Sequence, residues 1–87
     1  MIKVNLYTVK DTKADSCVSP FAMRTDFEAQ RAFADTVNDK SKQIPISQHP
    51  EDFVLLAIGE FDQESGKLLG YDVPKSLGVG SDFVKES

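Results

Sequence analysis

The sequence has no tryptophan, one histidine, one cysteine and no long hydrophobic run. The single cysteine excludes internal disulfides, and the lack of a long hydrophobic run argues against a membrane-spanning helix. The single Cys17 cannot form an internal disulfide, so we expect a reducing, cytoplasmic setting. No apolar stretch approaches the roughly 20 residues that span a bilayer, so we expect no contact with a membrane. The opening MIKVNLYTVK also lacks the separate charged and hydrophobic blocks of a signal peptide.

Acidic residues outnumber basic ones, 14 against 10, and the formal net charge is −4. Nonspecific binding to nucleic acid is largely the neutralisation of phosphates by lysine and arginine, so this balance weighs against a protein that coats DNA. At 87 residues the chain has room for one domain with a small core, and self-association would add to its stability.

The longest apolar run is FVLLAI at residues 53–58, and it is apolar at both sets of alternate positions. Such a run, rich in branched and aromatic residues, predicts a strand that is buried on both faces, although its periodicity also permits a short buried helix. We favour the strand because Gly59 follows and Glu60-Phe61 continues the alternation. Residues 62–66, DQESG, then predict a hairpin turn whose glycine has a positive φ, with a return strand at residues 67–71.

Two further strands are predicted before the middle of the chain. The alternation of Ile2, Val4 and Leu6 with polar residues indicates a half-buried strand. After a polar turn at residues 11–16, residues 17–23 can return as a second strand. Because Pro20 has no amide hydrogen, that strand should lie at an edge or be irregular.

Residues 25–38 have the pattern of an amphipathic helix. Thr25 and Glu28 predict a capping box, in which each side chain accepts a hydrogen bond from the other residue's backbone amide. We expect the apolar arc of this helix, about 160° wide, to cover one face of the sheet. Gln30 interrupts the arc, whose apolar members are Phe27, Ala29, Phe33, Ala34 and Val37.

Prolines and glycines shape the two remaining segments. Pro45 and Pro50 disfavour helix in and after the polar connection at residues 40–48. Residues 72–87 are too irregular to predict a strand, and this tail packs on the sheet, docks on a partner or stays mobile. The prediction is thus one α+β domain at residues 1–71 followed by an irregular C-terminal tail. Its order is β-(β)-α-β-β, an antiparallel sheet of about four strands covered by one α-helix.

No group of residues in the sequence predicts catalysis. Side chains joined through Pro50 cannot easily converge on one ion, so we interpret His49, Glu51 and Asp52 as a turn rather than a metal site. Cys17 could in principle be a nucleophile with His49 as its base, but the sequence around it has no motif of a catalytic cysteine. We expect Cys17 to be a buried small apolar residue. The segment GVG at residues 78–80 lacks the third glycine of a dinucleotide fingerprint. We therefore expect no enzyme activity, no cofactor and no metal.

One group of side chains has the chemistry to contact single-stranded DNA. A tyrosine ring can stack on a base, and lysine and arginine can contact phosphates. The group comprises Lys3, Tyr7, Lys10, Lys13 and Arg24. The alternative is a solvated sheet edge on which lysines discourage edge-to-edge pairing, and an exposed outer sheet face would equally suit self-association.

Three stretches together resemble a known family. They are the opening MIKVNLYTVKDTKA, the helix containing Phe27, Arg31-Ala-Phe33, Asp35 and Val37-Asn38, and above all HPEDF…L…IGEFD…SG within residues 49–66. In order and spacing over residues 1–71 they resemble the small nonstructural protein of the Microviridae, the tailless icosahedral single-stranded DNA phages, in the gokushovirus branch. The residues after Tyr71 lie outside the resemblance.

The resemblance implies a nonenzymatic accessory protein that is made in the cytoplasm of the host bacterium and is not part of the mature capsid. Such proteins are thought to act in viral DNA synthesis or in its switch toward packaging, often with single-stranded DNA binding as the suggested activity. The function that it implies is assistance of viral replication or packaging through contact with single-stranded DNA. The alternative is an interaction module that forms a homo-oligomer or binds a host or viral replication protein.

Overall fold

Strand β4 (Phe53–Asp62) lies inside the sheet, between β1 (Lys3–Asp11) and β5 (Leu68–Val79). The structure is a computed structural model that describes residues 2–41 and 43–85. Two short strands, β2 (Ser16–Cys17) and β3 (Phe21–Met23), pair with the other side of β1, and the described pairings are all antiparallel. The α+β class, the element order and the strand at residues 53–58 are thus confirmed. The interruption between β2 and β3 contains Pro20 and lies at a sheet edge, as expected.

Helix α1 (Asp26–Asn38) packs on one face of this sheet. The hydroxyl of Thr25 accepts a hydrogen bond from the Glu28 amide at 3.1 Å, which confirms Thr25 as the N-cap. The Glu28 carboxylate accepts from the amide of Arg24 instead of that of Thr25, so the reciprocal half of the capping box is shifted by one residue. Ala29, Phe33 and Val37 are buried against the sheet, whereas Phe27 is 71% exposed and its predicted place in the core is wrong.

The two faces of β4 differ in burial. Phe53, Leu55 and Ala57 are buried under α1 with Tyr7 and Val9 of β1. The alternate residues Val54, Leu56 and Ile58 are only half-buried. The prediction that this strand is buried on both faces is therefore wrong for the face opposite the helix.

The predicted hairpin turn after β4, with a glycine at positive φ, is confirmed. Gly66 has a φ of +78° and its amide donates to the Asp62 carbonyl at 2.8 Å. The Asp62 carboxylate accepts from the amide of Glu64 at 2.9 Å, and this hydrogen bond lowers the pKa of Asp62. A polar side chain thus closes the turn locally.

The chain beyond Tyr71 is not an irregular tail. β5 continues to Val79, where it pairs with Val54, and a 3-10 helix (Gly80–Phe83) follows. The Phe83 ring packs edge-on against Phe33 at 5.4 Å between centroids. The glycines and proline of β5 lower its intrinsic strand preference, but pairing with β4 overrides that preference.

Both prolines of the connection begin a helical turn, contrary to the prediction. Pro45 opens α2 (Pro45–Gln48), and Pro50 opens a 3-10 helix (Pro50–Asp52). At the first helical position a missing amide hydrogen costs nothing and the fixed φ of proline suits the helix. The same property that disfavours proline inside a helix therefore favours it at these two starts.

Candidate functional site

The five residues predicted to contact single-stranded DNA do not form one surface. Tyr7 has no exposed area, because its ring lies in the core beside Phe21 at 5.8 Å between centroids. Its hydroxyl donates to Asp26 Oδ1 at 2.8 Å. Burial, followed by this hydrogen bond to a carboxylate, raises the pKa of Tyr7 to about 12. The prediction that Tyr7 stacks on a base is therefore wrong.

The four cations of that group separate toward the two ends of β1. Lys3 and Lys10 are seven residues apart, about 23 Å along a strand, and alternation places them on opposite faces. Each has a carboxylate partner, Glu60 at 3.4 Å for Lys3 and Asp15 at 3.2 Å for Lys10. The two others are exposed at opposite ends, with Arg24 following β3 and Lys13 in the turn after β1. The structure does not bring these cations into one groove.

The cluster of His49, Glu51 and Asp52 is more compact than its backbone suggested. One ligand atom from each lies within 4.8 Å of the others, and His49 Nδ1 is 3.8 Å from Glu51 Oε1. The prediction that Pro50 keeps them from converging is thus wrong, because the 3-10 turn folds the segment back. The side chains of His49 and Glu51 are exposed, and Asp52 uses its carbonyl to accept from the amide of Thr12 at 2.8 Å. The segment does serve as the turn into β4.

Cys17 lies on the edge strand β2 and is exposed, so the expectation that it is buried is wrong. Within residues 2–41 and 43–85, no helix is long and apolar enough to cross a membrane.

The feature that stands out is the sheet face opposite α1. Register and alternation place on it one set of apolar side chains from the three long strands, which we call the open face. It includes Val4, Leu6, Leu56, Ile58, Phe61 and Leu68, with Val54 and its partner Val79 toward one end. None of these side chains is buried, and Leu68 is 70% exposed. On the helix side, Tyr7, Val9, Phe53, Leu55 and Ala57 are buried, although Leu69, which pairs with Glu60, is 60% exposed.

Ile58 marks an irregular point in the middle of the open face. It has no partner in the register with either neighbour, since Leu6 pairs with Gly59 while Tyr7 pairs with Ala57. On the β5 side, the four residues 71–74 lie opposite this single position. The bulge on β5 carries Val73, which is 78% exposed.

Beside this bulge the open face contains a hollow of about 460 Å³. Its lining consists of apolar side chains and backbone, namely Leu6, Pro20, Ala22, Ile58, Gly70 and Leu68 with their neighbours. Such a hollow suits an apolar side chain of a binding partner better than a polar substrate.

The carboxylates of β1 and β4 lie away from the open face. Asp11, Glu60 and Asp62 pair in register with Phe53, Asn5 and Lys3. By alternation, Asn5 and Lys3 share the face of Tyr7, which is the helix side. The carboxylates of β1 and β4 are therefore absent from the open face, which carries Lys10, paired with Asp15, toward one end.

A family model described as Phage ORF5 protein matches residues 4–83. The chain belongs to the phage ORF5 protein family. For this ORF5 protein the match extends through β5 and the 3-10 helix after it, and so includes residues beyond Tyr71 that the resemblance left out. A search of the curated proteins and of the solved structures found no match.

An exposed outer sheet face suited to self-association was expected from the sequence of the ORF5 protein, but not the residues that form it. The apolar positions 54, 56 and 58 of the central run predicted a second covered face. The apolar composition of that face was predicted correctly, but residues 2–41 and 43–85 leave these three side chains half-buried.

Proposed function

We propose that this phage protein is a nonenzymatic accessory protein of a gokushovirus-type Microviridae phage that assists viral single-stranded DNA replication or packaging by binding protein chains. We place this action in the cytoplasm of the host bacterium. The observation that supports binding is the open face, a set of apolar side chains on the sheet face that no helix covers within residues 2–41 and 43–85. Apolar side chains that stay partly exposed on one face, with an exposed Leu68 among them, are typical of a site of protein association.

Charge supports a protein partner over a phosphate backbone. The net charge is −4, and Lys3 and Lys10 already have carboxylate partners. A strand of nucleic acid would have to displace these pairs and approach an acidic molecule, which weakens nonspecific affinity. A protein partner that binds the apolar open face would not have to displace these two ion pairs.

Isolation of the tagged protein from infected bacteria tests this function. We expect viral or host replication or packaging proteins to be recovered with the wild type and lost with Leu68→Glu, which places a charge on the open face. Phe27→Glu is the matched control, because Phe27 is equally exposed, at 71%, but lies on the helix side. Recovery of the same proteins with both variants would contradict a role for the open face.

Direct contact with single-stranded DNA is the competing mechanism, and a titration separates the two. We expect no saturable binding of a labelled oligothymidine at micromolar protein in low salt, because the predicted cations are dispersed and two of them are paired. Binding that weakens with salt and is lost in a double variant with Lys13→Gln and Arg24→Gln would establish phosphate contact instead.

A further inference from the structure

We infer that the open face binds a second copy of this chain, so that two sheets pack face to face in a two-fold homodimer. This inference rests on the proposed function and deepens it: the open face takes a second copy, and the viral or host proteins recovered from infected cells then bind the dimer that Leu68→Glu disrupts. In such a dimer each β4 would be covered on both faces, by α1 on one side and by the partner's sheet on the other. That arrangement accounts for the apolar residues at both sets of alternate positions in β4.

The distribution of charge allows two identical acidic molecules to approach on this face. Each copy carries a net charge of −4, so most contacts between copies would place carboxylates near one another. The carboxylates of β1 and β4 lie on the helix side, and Asp26 and Glu28 are in the first turn of α1. The carboxylates of β1 and β4 therefore add no direct repulsion between two copies that meet on the open face.

The size of the molecule matches what a stable dimer requires. Its principal dimensions are 43 × 25 × 19 Å, and the shortest of these is enough for two layers, one of sheet and one of helix, about 10 Å apart. The broad side therefore offers a footprint on the order of 1,000 Å², compared with the roughly 800 Å² per partner of a standard interface. The broad side of one copy is therefore large enough to form a standard interface with a second copy.

The open face also has the shape expected of a surface that binds itself. Leu68 protrudes from it with 70% exposure, and the 460 Å³ apolar hollow lies beside it on the same face. In a two-fold contact the same patch is used by both copies, so a protrusion on one copy meets the hollow on the other, and the reverse contact follows by symmetry. Two leucines and two hollows would then be filled in one interface.

Analytical ultracentrifugation over a range of protein concentrations tests the dimer. We expect the wild type to approach about 19 kDa, twice the chain mass of 9.6 kDa, at micromolar concentration. Leu68→Glu should raise the dissociation constant at least tenfold, and Phe27→Glu should leave it within twofold. As a second variant, Gly70→Lys adds a side chain in the hollow, where a Cβ meets no atom within 4 Å, so the monomer should still fold. Circular dichroism verifies the fold of each variant.

The outcomes separate this inference from the proposed function. A wild type that stays monomeric at high micromolar concentration overturns the homodimer. If Leu68→Glu still abolishes recovery of a viral or host protein from infected cells, the proposed function survives that failure with a different partner. A dimer that Leu68→Glu and Gly70→Lys leave intact also overturns the inference, because the contact must then lie elsewhere.

Discussion

Tyr7 joins the sheet to the start of α1 through its buried hydroxyl. The ring is fully covered, and the hydroxyl donates to Asp26 Oδ1, whose carboxylate also has Lys75 Nζ at 3.6 Å. Removing the hydroxyl therefore leaves a partly buried carboxylate with one polar partner fewer. This is a structural role for a residue that sequence chemistry assigned to DNA stacking.

Tyr7→Phe should lower the free energy of unfolding by about 1–2 kcal/mol at neutral pH, through the lost hydrogen bond. The raised pKa gives a second effect, at alkaline pH. Since the folded-state pKa is about 12 against 10.0 for an unperturbed tyrosine, the folded state favours the protonated form. That stability is complete below pH 10 and is lost as pH rises through 12.

Urea unfolding of both proteins between pH 7 and strongly alkaline pH measures this effect. The wild type should lose stability above pH 10 more steeply than Tyr7→Phe, so the difference between them shrinks. Tyr71, whose pKa is also raised by burial and by Glu60, is present in both proteins and cancels in the comparison. Parallel pH profiles would show that the Tyr7 hydroxyl does not titrate with folding.

The alternation of apolar and polar residues predicts that a segment is a strand more reliably than it predicts whether a given residue is buried or exposed. The pattern of β1 was visible from the sequence, but period two assigns residues to two faces without saying which face the helix covers. The same holds for α1, where Phe27 and Phe33 both lie in the apolar arc and only Phe33 is buried. The choice depends on where the sheet ends beneath the helix, which is a tertiary property.

Among elements, the β4–β5 pair depends on one close backbone approach. Gly59 pairs with Gly70 across the two strands, yet the two glycines have opposite surroundings. A Cβ at Gly59 would overlap the carbonyl oxygen of Leu69, whereas a Cβ at Gly70 would meet nothing within 4 Å. Only Gly59 is required by the packing of the strands.

Gly59→Ala should therefore lower the free energy of unfolding by about 2 kcal/mol or more, because β5 backbone must move to relieve the overlap. Gly70→Ala, the cross-strand control, should change stability by no more than about 0.5 kcal/mol. Thermal or urea unfolding of the two variants side by side is sufficient. Equal stabilities would mean that β4 and β5 are not held as close together as the structure places them.

The elements that sequence analysis missed were those that tertiary pairing creates. The hairpin turn and the N-cap of α1 were predictable because Gly66 and Thr25 act through local backbone groups. The second half of β5 was not, since Pro74 and Gly78 disfavour a strand and its partner β4 lies elsewhere in the chain. For the same reason an exposed sheet face could be expected from the sequence, but the residues that form it could not.

At the scale of the whole molecule, the C-terminal segment is part of the core. Leu77 and Phe83 pack against the buried cluster. Side chains of α1 also hold this segment, since Gln30 Nε2 donates to the Leu77 carbonyl at 3.0 Å and Asn38 Nδ2 to the Phe83 carbonyl at 2.9 Å. These bonds explain Gln30, which interrupted the apolar arc of the predicted helix. The helix thus binds the sheet through its apolar face and the C-terminal segment through amides.

A chain that ends at Tyr71 should fail to fold, whereas the full chain should unfold in one cooperative transition. The shorter chain loses the β5 residues that pair with Val54, Leu55, Leu56 and Ala57, and it also loses the Phe33–Phe83 contact. Removing one large core side chain costs about 3–5 kcal/mol, which is comparable with the whole stability of a small domain. Circular dichroism and the cooperativity of thermal unfolding distinguish the two chains. A cooperative transition in the chain ending at Tyr71 would restore the predicted boundary at that residue, and would mean that β1, α1 and the first half of the β4–β5 hairpin form a sufficient core.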